Sequence, residues 1–198
     1  MGSLHAAAQK GRVSEVVALL AGGADVDAEQ GSARWTSLHY ASENDHAGVV
    51  RALIDAGAEV NKTSGLVQNT PFSLAACYGN LAVCKMLLAA GADPNLGQSP
   101  YRSALSLGHR RVLALLLQHG TAMVTTNNLG DVPRLQRNAS AWRFHDNVVE
   151  AGGYDAFKKI HRRVYANLLR KVSEAKFGRR APDDACGVVA SFLSHGTT

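Results

Sequence analysis

Apolar residues fall in short clusters spaced three and four apart along the first 120 residues. Val49, Val50, Leu53 and Ile54 form one such stripe, and Val83, Cys84, Leu87 and Leu88 another. A denser third runs from Val112 through Leu117. This spacing predicts amphipathic helices of two to three turns. Gly57, Gly91 and Gly120 follow these stripes and predict a helix end in the left-handed region. A second, shorter helix is predicted ahead of each stripe. Thr36, Thr70 and Ser99 supply a side-chain oxygen to cap it. Pro71 and Pro100 then occupy its first turn, where a missing N–H costs nothing. Ala41, Ala75 and Ala104 are small enough for neighbouring helices to approach closely. The pattern therefore predicts pairs of short helices, each pair with an apolar face that only stacking on the next pair can cover.

The pairs are copies of one unit. Trp35-Thr36-Ser37-Leu38-His39-Tyr40-Ala41 returns 34 residues on as Asn69-Thr70-Pro71-Phe72-Ser73-Leu74-Ala75. A weaker copy is Ser99-Pro100-Tyr101-Arg102-Ser103-Ala104, and Leu4-His5-Ala6-Ala7-Ala8 is the same unit without its front. The units close on Gly23-Ala24-Asp25, Gly57-Ala58-Glu59, Gly91-Ala92-Asp93 and Gly120-Thr121, with Asn61 and Asn95 two residues beyond the acid and Asp27 in that place in the first copy. In one register over residues 4–120 these motifs resemble the ankyrin repeat. The resemblance implies an all-α solenoid of stacked helix pairs with β-turn fingers, its repeats one to four occupying residues 1–120. Two departures stand out. Gly23 to Thr36 and Gly57 to Thr70 are each 13 residues, but Gly91 to Ser99 is 8, which predicts a shortened finger before the fourth repeat. Ser73 and Arg102 replace the motif histidine that His39 keeps.

Beyond Gly120 the pattern weakens. Asn127-Asn128-Leu129-Gly130-Asp131-Val132-Pro133 reads as another finger, and Pro133 to Gly153 is 20 residues, as Pro71 to Gly91 is. Residues 121–153 are accordingly read as a degenerate fifth repeat, although Arg137, Asn138, His145 and Asp146 stand where the other copies carry small or apolar residues. Residues 154–198 are read as a basic helical extension that caps the stack. Tyr154, Phe157, Ile160, Val164, Leu168 and Val172 share one helical face, opposite Lys158, Lys159, Arg162, Arg163, Arg170 and Lys171.

Charge sharpens this division. The net charge is +5, yet residues 1–120 hold nine basic and nine acidic residues, so all the excess lies in 121–198. From Lys158 to Arg180 there are nine basic residues against Glu174 alone, which marks a surface suited to an acidic partner. A 46% hydrophobic content with 19% charged residues is enough to build a core. No apolar run reaches the roughly 18–20 residues of a membrane-spanning helix, and the N-terminus lacks the basic start and apolar stretch of a signal peptide. Cys77, Cys84 and Cys186 are odd in number and fit no metal spacing, which points to a reduced, cytoplasmic setting. Neither a nucleophile elbow, a phosphate loop nor a dinucleotide fingerprint occurs, and four of the eight histidines, His5, His39, His46 and His109, belong to the repeat motif. The expectation is a binding protein with no catalytic group, cofactor or metal.

The ankyrin resemblance implies a partner in the concave groove, touched by positions just before the Thr-Pro pair and just after the Ala-Ala pair. Here these are Arg34, Trp35, Glu43 and Asn44 in the second copy, Gln68, Asn69, Cys77 and Tyr78 in the third, and Gln98, Ser106 and Leu107 in the fourth, with Gln9 and Lys10 in the first. Trp35 and Tyr78 are the aromatic anchors expected at a hot spot, the alternative for Trp35 being a ring packed on the neighbouring finger. Tyr101 and Arg102 join the set because the short finger is expected to uncover them. Lys158, Lys159, Arg162 and Arg163 form a candidate second contact. Three functions stand side by side. One is a scaffold or adaptor holding another protein, transiently or as a subunit of a larger complex. Another is a ubiquitin-ligase substrate receptor, since Arg180-Ala181-Pro182-Asp183-Asp184 and Val188 to Leu193 resemble the start of an F-box with Ala181 in place of its leucine. The last is docking of the basic helix to nucleic acid or an anionic membrane.

Overall fold

In the computed structural model, residues 3–65, 68–121, 147–151, 155 and 159 are described. The chain divides into two compact units, Met1–His145 and Asp146–Thr198. Among the described residues of the first, eight helices follow in order: α1 (Leu4–Gln9), α2 (Val13–Ala21), α3 (Ser37–Glu43), α4 (Ala47–Asp55), α5 (Pro71–Tyr78), α6 (Leu81–Ala89), α7 (Pro100–Leu107) and α8 (Arg110–Gln118). They stack in two layers. The inner layer runs α1, α3, α5, α7, the outer runs α2, α4, α6, α8, and each inner helix packs on its own outer partner. Among the described residues there is no strand, and the only pairing of that kind is the isolated antiparallel bridge Gln30–Trp35. The fold is an all-α repeat solenoid.

The core is the seam between layers. Leu4, Leu38, Phe72 and Tyr101 occupy one repeat position and all are buried, as are Val16, Val50, Cys84 and Leu113 on the outer helices. Each such large side chain contributes on the order of 1.5–3 kcal/mol by leaving water. Val49, Leu53, Val83 and Leu87 are buried too, while Ile54 and Leu88 at the margin of the same stripes remain half-exposed.

The caps form with local variation. Thr70 Oγ1 accepts from the Ser73 N–H at 3.0 Å while Ser73 Oγ accepts from the Thr70 N–H at 2.9 Å, a reciprocal capping box. In α3 the third-position side chain is His39, whose Nδ1 accepts from the Thr36 N–H at 3.2 Å and lies 2.8 Å from the Thr36 hydroxyl. Ser99 accepts from the Arg102 N–H at 3.3 Å.

Between repeats, polar side chains tie neighbouring loops together. His39 Nε2 donates to the Asn69 carbonyl at 3.1 Å, and His5 Nε2 reaches the Ala28 carbonyl at 2.7 Å. Ser73, in the same position, instead turns its hydroxyl back to the Thr70 carbonyl at 3.0 Å. The finger that follows Ser73 is the shortened one, so its cross-link and the hairpin that would receive it are missing together. Asn61 both donates to the Gly91 carbonyl at 3.1 Å and accepts from the Asp93 N–H at 2.8 Å. The Asp27 carboxylate, in the counterpart position, has no donor and only accepts, from the Glu59 N–H at 3.0 Å.

The two full fingers are hairpins of one design. Gln30 and Trp35 exchange backbone bonds at 2.8 and 3.1 Å, and Ser64 donates to Asn69 O at 2.8 Å. Arg34 and Gln68 sit at the same place in their fingers with φ of 52° and 48°, where the third finger has Gly97 at 83°. A Cβ on Gly97 would lie 2.8 Å from the Gln68 carbonyl, so the short finger closes directly against its predecessor.

In α8, Val112, Leu113, Leu115, Leu116 and Leu117 are all buried. In the second unit residues 147–150 form a helical turn with Val148 buried, and Asp155 and Lys159 are helical and exposed. The fifth repeat expected over 121–153, the capping role of 154–198, the F-box-like segment and the contacts expected of Lys158, Arg162 and Arg163 lie outside the described residues.

Candidate binding surface

The inner helices end in register. The last position of each inner helix or its cap is Lys10, Asn44, Tyr78 and Leu107, and all four side chains are exposed. Tyr78 and Leu107 are 55% and 54% exposed, and among the described residues no other large hydrophobic side chain of the inner layer is exposed in this way. The row therefore grades from charged to polar to apolar along the stack. Glu43, one place earlier, is half-buried and accepts a hydrogen bond from the Tyr78 hydroxyl, which raises the phenol above its usual range. Asn44 donates its own side-chain N–H to the Tyr40 carbonyl at 2.8 Å, closing α3.

The finger side is charged. Arg34 is exposed and bonds Glu29 at 2.5 and 3.2 Å through Nε and Nη2. That fork holds the Glu29 carboxyl below its usual range and the guanidinium above its own. Lys62 lies 3.9 Å from Glu29 and 3.3 Å from Glu59. These residues, with Ser32, Gln68 and neighbours, line an open depression of about 650 Å³ between the first two fingers. Exposed pairs of this kind contribute little stability, on the order of 0–1 kcal/mol, so their main effect is on what the finger surface attracts.

Trp35 is half-buried. Its ring lies stacked on His39 at 6.1 Å and edge-on to Tyr40 at 5.1 Å, and Tyr40 meets His5 at 6.0 Å. The indole is thus packed on side chains of its own repeat and stays partly exposed. Asn69 is half-buried, with its N–H donating to Ser64 Oγ at 2.9 Å and its carbonyl receiving the Ser64 N–H and His39, so its backbone is committed to the finger.

Tyr101 does not line the surface. Its side chain is fully buried, with the phenol pushed up to about 12 by burial. The expectation that the short finger uncovers it is corrected: Tyr101 takes the position of Leu38 and Phe72, which faces the seam whatever the finger's length. Arg102, the next residue, is exposed as expected. With Cys77, Gln98, Ser103, Ser106 and Leu107 it lines a second open depression of about 480 Å³. Gln98, Ser106 and Cys77 are thus brought together with Arg102, and Cys77 shares a hydrogen bond with Ser103. Burial raises the Cys77 thiol and pushes Cys84 up to about 12, so neither carries the thiolate a nucleophile requires. Among the described residues no group of three or more His, Cys, Asp or Glu is placed to hold a metal ion, and no helix is long and apolar enough to cross a membrane.

A stack of helix pairs with hairpin fingers and an open, chemically varied inner face defines a repeat protein of the binding class. The ankyrin-repeat family model for three copies matches residues 2–64, and the single ankyrin-repeat model matches 68–97. Among 411 matching chains of solved structures is the crystal structure of the human ASB11 ankyrin repeat domain. It is similar at 33% identity with a TM-score of 0.58, over 68% of this chain and 59% of that one, so this chain spans less than two thirds of that structure. No curated protein matches. The chain is an ankyrin-repeat protein. Residues 100–118 lie beyond both family matches, yet α7 and α8 continue the two layers in register.

Proposed function

We propose that this protein is a scaffold or adaptor that holds another protein against the inner face of its repeats, in the cytoplasm. Ankyrin repeats generally bind other proteins and are typically non-enzymatic modules. The observation that carries the reading is the row Lys10, Asn44, Tyr78 and Leu107. Four equivalent side chains stand exposed on consecutive inner helices, where the core does not need them. A large exposed aromatic among polar neighbours is the composition of an interface centre. The basic stretch from Lys158 to Arg180, including Arg162 and Arg163, is a second contact in this proposal, suited to an acidic part of the same assembly.

The test is affinity capture from the source cell with wild type and with a triple variant, Asn44→Arg, Tyr78→Ala and Leu107→Ser. All three side chains are exposed, so the helical circular dichroism is expected to persist. Proteins retained by wild type and lost from the variant support the inner face as the docking surface. Identical captured sets from two equally helical proteins place the function elsewhere.

A further inference from the structure

The inner face is not uniform, and its third and fourth repeats differ from the first two in a way that specifies a ligand. Around the first two fingers the charges are already paired: Arg34 with Glu29, and Lys62 with Glu29 and Glu59. The Glu43 carboxylate is engaged by the Tyr78 hydroxyl. Arg102 is different. Its backbone N–H caps on Ser99, but its guanidinium has no ion pair among the described residues and stands in the depression with the hydroxyl-bearing Ser103 and Ser106. Three features put it there. It occupies the place of the motif histidine, which in α3 is folded inward to the cap. The finger ahead of it is five residues shorter than the others, 8 against 13, so no full hairpin stands over it. Arg102, Ser106 and Ser103, Leu107 are pairs four apart on α7, which places them on one helical surface.

Beside this unpaired cation stand Leu107, on the same helix and lining the same depression, and Tyr78 at the equivalent end of the adjacent α5. Neighbouring packed helices lie about 8–10 Å apart, a spacing that one extended segment of two to four residues spans at about 3.3 Å per residue. We infer that repeats three and four bind a short acidic peptide segment, in which a carboxylate side chain pairs with Arg102 and a nearby aliphatic or aromatic side chain lodges between Tyr78 and Leu107. Charge complementarity selects the sign: a basic segment meets an unpaired guanidinium and is repelled, whereas a carboxylate forms the two-pronged bond to which arginine geometry is suited. The inference rests on the reading of the inner face as a docking surface and makes it specific to two repeats and one chemistry.

The test uses the full chain and an unbiased library of displayed 12-residue peptides, followed by fluorescence anisotropy with the strongest synthetic peptide. Selected sequences are expected to share an Asp or Glu within about four residues of a large apolar side chain. Arg102→Gln is expected to weaken that peptide by tenfold or more, Tyr78→Ala and Leu107→Ser by a comparable factor, and Lys10→Gln by less than twofold. Raising the salt is expected to weaken wild type more steeply than Arg102→Gln. Selection of basic or uncharged peptides, binding indifferent to Arg102→Gln, or no selected peptide at all overturns the inference. If that occurs while captured proteins are still lost from the Asn44, Tyr78 and Leu107 variant, the inner face remains the docking surface and only its assigned ligand is wrong.

Discussion

A single backbone position shows how one repeat's residue is set by the next repeat's. Gly11, Asp45, Gly79 and Gly108 each end the turn between inner and outer helix with positive φ, at 69°, 57°, 77° and 87°. Opposite them, the residue that begins the following outer helix crosses back to bond the preceding inner helix: His46 to the Gln9 carbonyl at 3.0 Å, Asn80 to those of Ser42 and Glu43 at 2.9 Å each, His109 to Cys77 at 2.9 Å. A Cβ on Gly11 would meet the His46 ring at 2.7 Å, and one on Gly79 would clash with the His109 ring. Asp45 escapes that clash because its opposite number is the smaller Asn80. Gly79→Ala is therefore expected to lose about 2–3 kcal/mol, from left-handed strain plus ring displacement. His109→Asn in that background is expected to recover part of it, so that the double variant is more stable than the two single losses summed predict, read by urea midpoints. Strict additivity would show that only the backbone angle matters. His39 gives a second residue-scale expectation. Burial holds its imidazole below the usual value of 6.5, with bonds to the Asn69 and Lys62 carbonyls opposing. The unfolded chain takes up a proton near pH 6.5 while the folded chain does not, so this contribution is complete above that pH and declines as pH falls below it. The urea midpoint of wild type is expected to drop more between about pH 7 and pH 5.5 than that of His39→Gln, whose side chain cannot titrate.

Among the elements, α3 departs from its neighbours at two buried positions. Its first residue is Ser37 where α5 and α7 begin with Pro71 and Pro100, and Ser42 stands where α1 and α5 carry Ala8 and Ala76. Both serines are buried, and neither hydroxyl finds a partner among the described residues. A buried hydroxyl without a partner costs roughly 1–3 kcal/mol. Proline at the first helical position also restricts the unfolded chain. The pair Ser37→Pro and Ser42→Ala is expected to raise stability by about 1–2 kcal/mol, visible as a higher thermal midpoint. An unchanged or lower midpoint would mean that these hydroxyls have partners in solution. The same comparison explains Tyr101: an element keeps its inward position through the repeat register even where the loop before it is shortened.

For the whole molecule, stability is a sum over repeats and the contacts between neighbours. The inner pair α3–α5 and the outer pair α4–α6 have helices of a neighbouring repeat on both sides, whereas α1 and α2, packed on each other, meet a neighbouring repeat on one side, at α3 and α4, with Val13 and Val17 of α2 left 41% and 50% exposed. Amide exchange is expected to be slowest in α3 to α6 and faster in α1 and α2, in graded steps and not as one cooperative unit. Equal protection from α1 to α6 would argue for a single all-or-none stack.

The repeat, its helices, caps and layered architecture were legible in the chain because each follows from short-range patterning: apolar spacing, a capping hydroxyl, a glycine at a left-handed end. Those rules act within one unit and recur in the next whatever the length of the finger between them. The inner-face positions were legible by number, since register carries them from copy to copy. Whether each is free was decided only by the fold. Trp35 is half-covered by His39 and Tyr40, Tyr101 is sealed in the seam, Arg34 is tied to Glu29, and Arg102 alone of these is left exposed with an unpaired charge. Exposure and pairing depend on which side chains from different repeats arrive at one place, and that is a property of stacking across 30 or so residues, beyond the reach of any local pattern.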